Sequence, residues 1–132
     1  MAFAMKKTVC VDLDGVLADY RDGWQGLENI GVPIKGAVAF TRELAKFAEV
    51  VIYTTRCCEN LGRGRTIAEL RGLVQAWLDK HGFHYQDIYV GQGKPIAEAY
   101  IDDRAVSCRP QDSLPGEYAC AMDDTKELLG IQ

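Results

Sequence analysis

The chain has 132 residues, 48% of them hydrophobic, and a net charge of −4. That length suits one domain, residues 1–132, with a sizeable core, and the acidic balance argues against general affinity for nucleic acid or anionic membranes. No stretch approaches the roughly 20 apolar residues of a membrane span, and Met1–Lys7 carries basic residues without the apolar core of a signal peptide, so a soluble, cytoplasmic protein is expected.

Thr8–Leu13, rich in β-branched residues, predicts a first strand running into Asp12-Leu13-Asp14-Gly15-Val16-Leu17. Strand residues two apart share a face, so Asp12 and Asp14 are expected together at the strand's carboxyl end, where ligands gather in open α/β sheets. Gly15 lets the chain turn away there. Two close carboxylates repel and tend to need a cation or a shared proton. Residues 15–35 hold Gly15, Gly23, Gly26, Gly31 and Pro33 and read as turns and short pieces.

Gly36–Ala48 carries a helical stripe of Ala37, Phe40, Leu44, Phe47 and Ala48. Val50–Tyr53 is a short apolar strand of the buried parallel type. The polar loop Arg56–Arg65 holds Arg56, Arg63 and Arg65. Thr66-Ile67-Ala68-Glu69 matches a capping box for a helix burying Ile67, Leu70, Val74, Trp77 and Leu78, with Gly82 at its C-terminal end. Asp87–Val90 predicts a third strand and Ala99–Ile101 a fourth, ending at Asp102-Asp103. After Pro110 the pattern fades, with a short closing helix over Asp123–Leu129. This alternation implies a three-layer α/β/α Rossmann-like sandwich with a mainly parallel sheet. Parallel strands would then bring their ends, Asp12, Thr54 and Asp102, to one sheet edge.

The cysteines, Cys10, Cys57, Cys58, Cys108 and Cys120, are odd in number and include no C-x-x-C, which fits reduced thiols. Cys10 reads as core, and Cys57-Cys58 as tolerated loop residues. Gly91-Gln92-Gly93-Lys94 lacks the spacing of a P-loop.

Asp12-x-Asp14-Gly-Val-Leu, Tyr53-Thr54-Thr55-Arg56, Gly93-Lys94-Pro95 and Tyr100-Ile101-Asp102-Asp103-Arg104, in that order, resemble the four motifs of the haloacid dehalogenase superfamily. The resemblance extends from residue 8 to about residue 104. It implies that Asp12 is a nucleophile forming an aspartyl-phosphate and Asp14 a general acid and base. It also implies Mg²⁺ held by an Asp12 oxygen, the Asp14 backbone carbonyl and Asp102, with Asp103 a direct or outer partner. Thr54 would hydrogen-bond a phosphoryl oxygen, with Thr55 competing for that role, since strand alternation puts the two on opposite faces. Lys94 would offset the negative charge of Asp12 and the phosphate. Asp at the second position favours phosphomonoester hydrolysis over the family's other chemistries.

Two departures stand out. Lys94 lies only eight residues before Asp102, which leaves room for a loop or a single turn. The intervals between motifs, roughly 40 residues each, hold no separate cap domain, so an open site is expected, with Asp19, Tyr20, Arg21 and Trp24 as a flap. The expected substrate contacts are Thr55, Arg56, Asp19 and Tyr20. Arg56, Arg63 and Arg65 are either a second anion subsite or a solvated loop. Tyr20 and Trp24 either stack on a nucleobase or pack the flap. Arg104 is expected to pair with a nearby acid, and His81 and His84 to be structural or exposed. The implied function is Mg²⁺-dependent hydrolysis of a small phosphorylated metabolite, a nucleotide being one candidate. The alternatives are a non-catalytic module binding Mg²⁺ and a phosphorylated ligand, or a phosphatase of polynucleotide ends. Nucleic acid and membrane are not the expected partners, and the oligomeric state is open.

Overall fold

The computed structural model describes residues 6–58, 64–111 and 116–132. Lys7–Asp12 forms β1, Ala37–Ala45 α1, Ala48–Tyr53 β2, Ile67–Lys80 α2, Asp87–Ile88 β3, Ala99–Ile101 β4 and Glu117–Leu129 α3. A 3-10 turn, Thr55–Cys57, follows β2. The strands form one all-parallel sheet in the order β3-β2-β1-β4, so the fold is α/β and Rossmann-like. Arg63 lies outside the described residues.

Alternation along β1 and β2 divides the sheet into two faces. Val9, Val11, Val50 and Ile52 join Leu44 of α1 and Val74, Trp77 and Leu78 of α2 in one buried cluster. Each such side chain contributes about 1.5–3 kcal/mol on burial. The crossovers β1–α1–β2 and β2–α2–β3 step the same way along the sheet, and right-handed connections put α1 and α2 on the same face. The His84 amide, just past α2, donates to Thr41 Oγ1 of α1 at 3.2 Å. The opposite face takes the other residues of the strands, including Cys10, which is fully buried, and Asp12.

The helix signals hold in detail at α2. Thr66 Oγ1 accepts from the Glu69 amide at 3.1 Å, which is the first half of the capping box. Gly82 follows the C-cap residue His81 in the left-handed region, φ 77°. His81 packs against the Trp77 ring, 4.9 Å between centroids.

Elsewhere the elements differ from expectation. β3 stops at Ile88; the Tyr89 amide still donates to the Ile52 carbonyl at 2.8 Å, but its hydroxyl folds over onto the Gln92 and Gly93 carbonyls as the glycines turn the chain. α3 begins at Glu117, well before the expected Asp123, and none of its residues is buried, so it has no apolar stripe to announce it. Cys57, expected as a loop residue, is buried in the core cluster.

Between β1 and α1 the chain is irregular yet tied down. The Leu13 carbonyl accepts from the Leu17 and Ala18 amides, both at 2.9 Å, which closes a turn directly after β1. Further on, the Asp19 amide donates to Val32 O and the Ile34 amide to Leu17 O, both at 2.8 Å. Trp77 Nε1 of α2 donates to Gly31 O at 3.0 Å. Gly31 is required by contact: a Cβ there would lie 2.0 Å from the Asp19 carbonyl oxygen. Gly31→Ala is therefore expected to destabilise the fold by about 1–3 kcal/mol, whereas Gly72→Ala, in α2 with nothing within 4 Å of the added Cβ, should be neutral or slightly stabilising. Thermal unfolding of the two variants checks this, and equal midpoints would contradict it.

Candidate functional site

Sheet register assembles the site. β1 is central, with β2 on one side and β4 on the other. Asp12 is level with Tyr53 of β2, and Val11 is level with Ile101 of β4, so the next residues, Asp12 and Asp102, come abreast at the carboxyl edge. One carboxylate oxygen each of Asp12, Asp102 and Asp103 lies within 4.8 Å of the others. Asp103 reaches this position because residue 15 is glycine. Gly15 has φ 86°, and a Cβ on it would stand 2.3 Å from Asp103 Oδ2.

The cluster is held by donors that leave room for a cation. Asp12 Oδ1 accepts from the Leu13 amide at 2.8 Å. Asp102 Oδ2 accepts from the Tyr53 hydroxyl at 2.6 Å, and its Oδ1 accepts from the Arg104 amide at 2.8 Å. Tyr53 thus reaches from β2 past β1 to β4. Burial and the hydrogen bond to Asp102 push the Tyr53 hydroxyl well above its ordinary pKa, so it stays a donor. Burial pushes Asp12 up to about 7, helped by the charges of Asp102 and Asp103 and opposed by the Leu13 amide. Oxygens on one octahedral Mg²⁺ lie at most about 4.2 Å apart. Adjacent ligands lie closer, at about 3 Å, so the three carboxylates would have to draw together around one ion, and three hard oxygen donors are the type that a small divalent cation takes.

Asp14 stands apart from this cluster. β1 ends at Asp12, so strand alternation does not carry Asp14 to the same face, as the sequence pattern implied. Its carboxylate turns to Arg56, whose Nε donates to Oδ2 at 2.8 Å and Nη2 to Oδ1 at 3.0 Å. Arg56 is itself only 2% exposed and sends Nη1 to the carbonyls of Gly26 and Leu27, at 2.9 and 3.2 Å. This corrects the expectation that Arg56 binds substrate: its donors are taken up inside the protein.

The remaining candidates line two clefts that meet at Tyr53. Thr54 and Thr55 share one cleft with Tyr89, Gln92 and Gly93. The chain leaves the strand at Thr54 and enters the 3-10 turn, so strand alternation no longer separates the two threonines. Thr54 Oγ1 caps that turn, accepting from the Arg56 amide at 3.2 Å, and its hydroxyl donates to no acceptor among the described residues. Lys94 lines the second cleft with Tyr53 and Asp102. Its Nζ rests 4.5 Å from the centre of the Tyr100 ring, and it forms no ion pair with Asp12 among the described residues.

Asp19, an expected substrate contact, is occupied by Arg21, which donates Nε to its carboxylate at 2.9 Å and lowers its pKa. Tyr20 lies beneath the Arg104 guanidinium, 5.9 Å from the ring centre, and this replaces the acid partner expected for Arg104. Arg65 pairs with Glu28 and not with a ligand cleft. Tyr53 is a site residue that the motif pattern does not single out, and its signal in the sequence is a hydroxyl that ends the apolar run Val50-Val51-Ile52 directly before Thr54.

No protein-family model and no curated protein matches the chain. A crystal structure of a target protein from Vibrio cholerae aligns over 91% of this chain and 99% of that chain, at 29% identity and a TM-score of 0.48.

The shifted Asp12 makes metal-free stability depend on pH. Asp12 titrates near 3.8 when unfolded and near 7 when folded. Between these values the folded chain keeps a proton that the unfolded chain has lost, so this contribution to stability falls as pH rises from about 4 to 7. Thermal midpoints of metal-free protein should show the decline, and Asp12→Asn should flatten it. A variant profile that parallels the parent would contradict the assignment.

Proposed function

We propose that the chain is a small capless phosphatase of the haloacid dehalogenase type that hydrolyses a small phosphomonoester through an aspartyl-phosphate on Asp12. The observation that carries this reading is the Asp12, Asp102 and Asp103 cluster at the carboxyl edge of an all-parallel sheet, beside the clefts lined by Thr54 and Lys94. Purely structural strand ends have no reason to crowd three carboxylates together. Mg²⁺ bound by this cluster would neutralise the charge that otherwise keeps a carboxylate from an anionic phosphate.

Asp12 attacks phosphorus, and the substrate's ester oxygen leaves with a proton from Asp14. Water then attacks the phosphoryl group and gives its proton to Asp14, which frees phosphate and restores the Asp12 carboxylate. Thr54 donates its hydroxyl proton to a phosphoryl oxygen. Lys94, on a flexible stem, swings from the Tyr100 ring to meet the phosphate charge.

One observation favours a second reading, a module that binds Mg²⁺ and a phosphorylated ligand without turnover. Both oxygens of Asp14 already accept from Arg56, which leaves proton transfer to the remaining lone pairs. Hydrolysis of p-nitrophenyl phosphate, nucleoside monophosphates and sugar phosphates decides between them. The phosphatase reading predicts Mg²⁺-dependent turnover that falls at least about a thousandfold in Asp12→Asn. For Asp14→Asn on alkyl esters it predicts a fall of about 10²- to 10⁴-fold. Activity that survives Asp12→Asn would remove the nucleophile, and an inactive parent across the panel would favour the binding module.

A further inference from the structure

Arg56 is the one charged side chain among the described residues that is fully buried, and it uses three parts of its guanidinium at once. One edge, Nε and Nη2, grips both oxygens of Asp14. The opposite corner, Nη1, holds the Gly26 and Leu27 carbonyls. The face lies 4.6 Å from the centre of the Trp24 ring. The 3-10 turn that aims it inward is capped by Thr54. A single planar group therefore joins a carboxylate beside the acidic edge to the loop 24–27, whose other hydrogen bonds among the described residues run only to Asp22 and Asn29.

We propose that Arg56 is a positioning residue that makes Asp14 and the loop 24–27 one unit, so that the loop's position and the orientation of the Asp14 carboxylate change together. Its catalytic consequence rests on the phosphatase reading; the linkage itself does not. Lysine cannot replace it, because a point charge meets one partner where the fork and face meet three. If a substrate seats against the loop, it thereby sets the Asp14 carboxylate.

Amide hydrogen exchange over residues 22–31 tests the linkage without any assay of turnover. Asp14→Asn, which keeps the size of the side chain and removes the charge, should raise exchange rates there about tenfold or more, as should Arg56→Lys. The double variant should go little further than the larger single effect, because the two residues act through one link. Exchange unchanged in Asp14→Asn, or effects that simply add, would overturn the proposal. Kinetics supply the second arm. Arg56→Lys should lower kcat on alkyl phosphates more than on p-nitrophenyl phosphate, with KM unchanged, and added guanidinium should restore Arg56→Ala in part. A raised KM with unchanged kcat would mean that Arg56 binds substrate, and would overturn it. A parent protein without phosphatase activity would fail the functional reading alone, and the exchange arm would still decide the linkage.

Discussion

Crowding of carboxylates at the carboxyl edge of the sheet is the constraint around which the rest of this protein is arranged. Two ionised groups about 4 Å apart repel by about 4 kcal/mol at an effective dielectric of 20. Asp12, Asp102 and Asp103 are held at that kind of separation by the parallel register of β1 with β4, and burial, with the charges of Asp102 and Asp103 added to it, pushes Asp12 up to about 7. The surrounding donors are neutral ones: the Leu13 and Arg104 amides and the Tyr53 hydroxyl. They fix the oxygens without discharging them. A group of acids so arranged lowers its own energy by taking up protons or a cation, which is why the cluster reads as a site and not as a strand terminus.

The one buried cation among the described residues does not serve that cluster. Arg56 is committed to Asp14, and removing two charges from water is only partly repaid by their attraction. Such a pair is weak evidence for stability and better evidence for geometry. Here the geometry is specific, because the same guanidinium also fixes the loop that lies over it. The edge therefore has two electrostatic compartments. The first is acidic and, among the described residues, forms no ion pair, although Lys94 lines the cleft beside Asp102, and the second is a closed ion pair. As the groups stand this is the reverse of the division that phosphoryl transfer asks of two neighbouring acids, an ionised attacking carboxylate and a partner that holds a proton, so the proposed chemistry requires a bound cation to ionise Asp12 first.

The strands around the site were legible because their signals are local. The apolar runs before Asp12, Thr54 and Asp102, and the cap at Thr66, each need only a few consecutive residues. Parallel order then follows from general rules of chain connection, and it brings those three strand ends together. What could not be read were contacts between distant positions. Tyr53 meets Asp102 across 49 residues, and Arg56 meets Asp14 across 42. In sequence an arginine two positions past Thr54 looks like a solvated loop residue or an anion ligand. Only the turn capped by Thr54 directs it inward. Strand alternation misled in the same way at Asp14 and Thr55, because both lie just beyond the last paired residue of their strands. Only the second half of α3, Asp123–Leu129, is legible, because the helix buries nothing and has no core partner to impose an apolar stripe on its first turns.

The central claim is that Asp12 becomes covalently phosphorylated. Asp14→Asn protein, given Mg²⁺ and an aryl phosphate whose good leaving group needs no acid, should accumulate that species, because the water that would release it lacks its base. Acid quenching followed by peptide mass spectrometry should find the phosphoryl group on Asp12, and on no peptide of the Asp12→Asn, Asp14→Asn double variant. Turnover by the parent protein with the phosphoryl group on another residue, or a phosphorylated peptide in the double variant, would contradict the account.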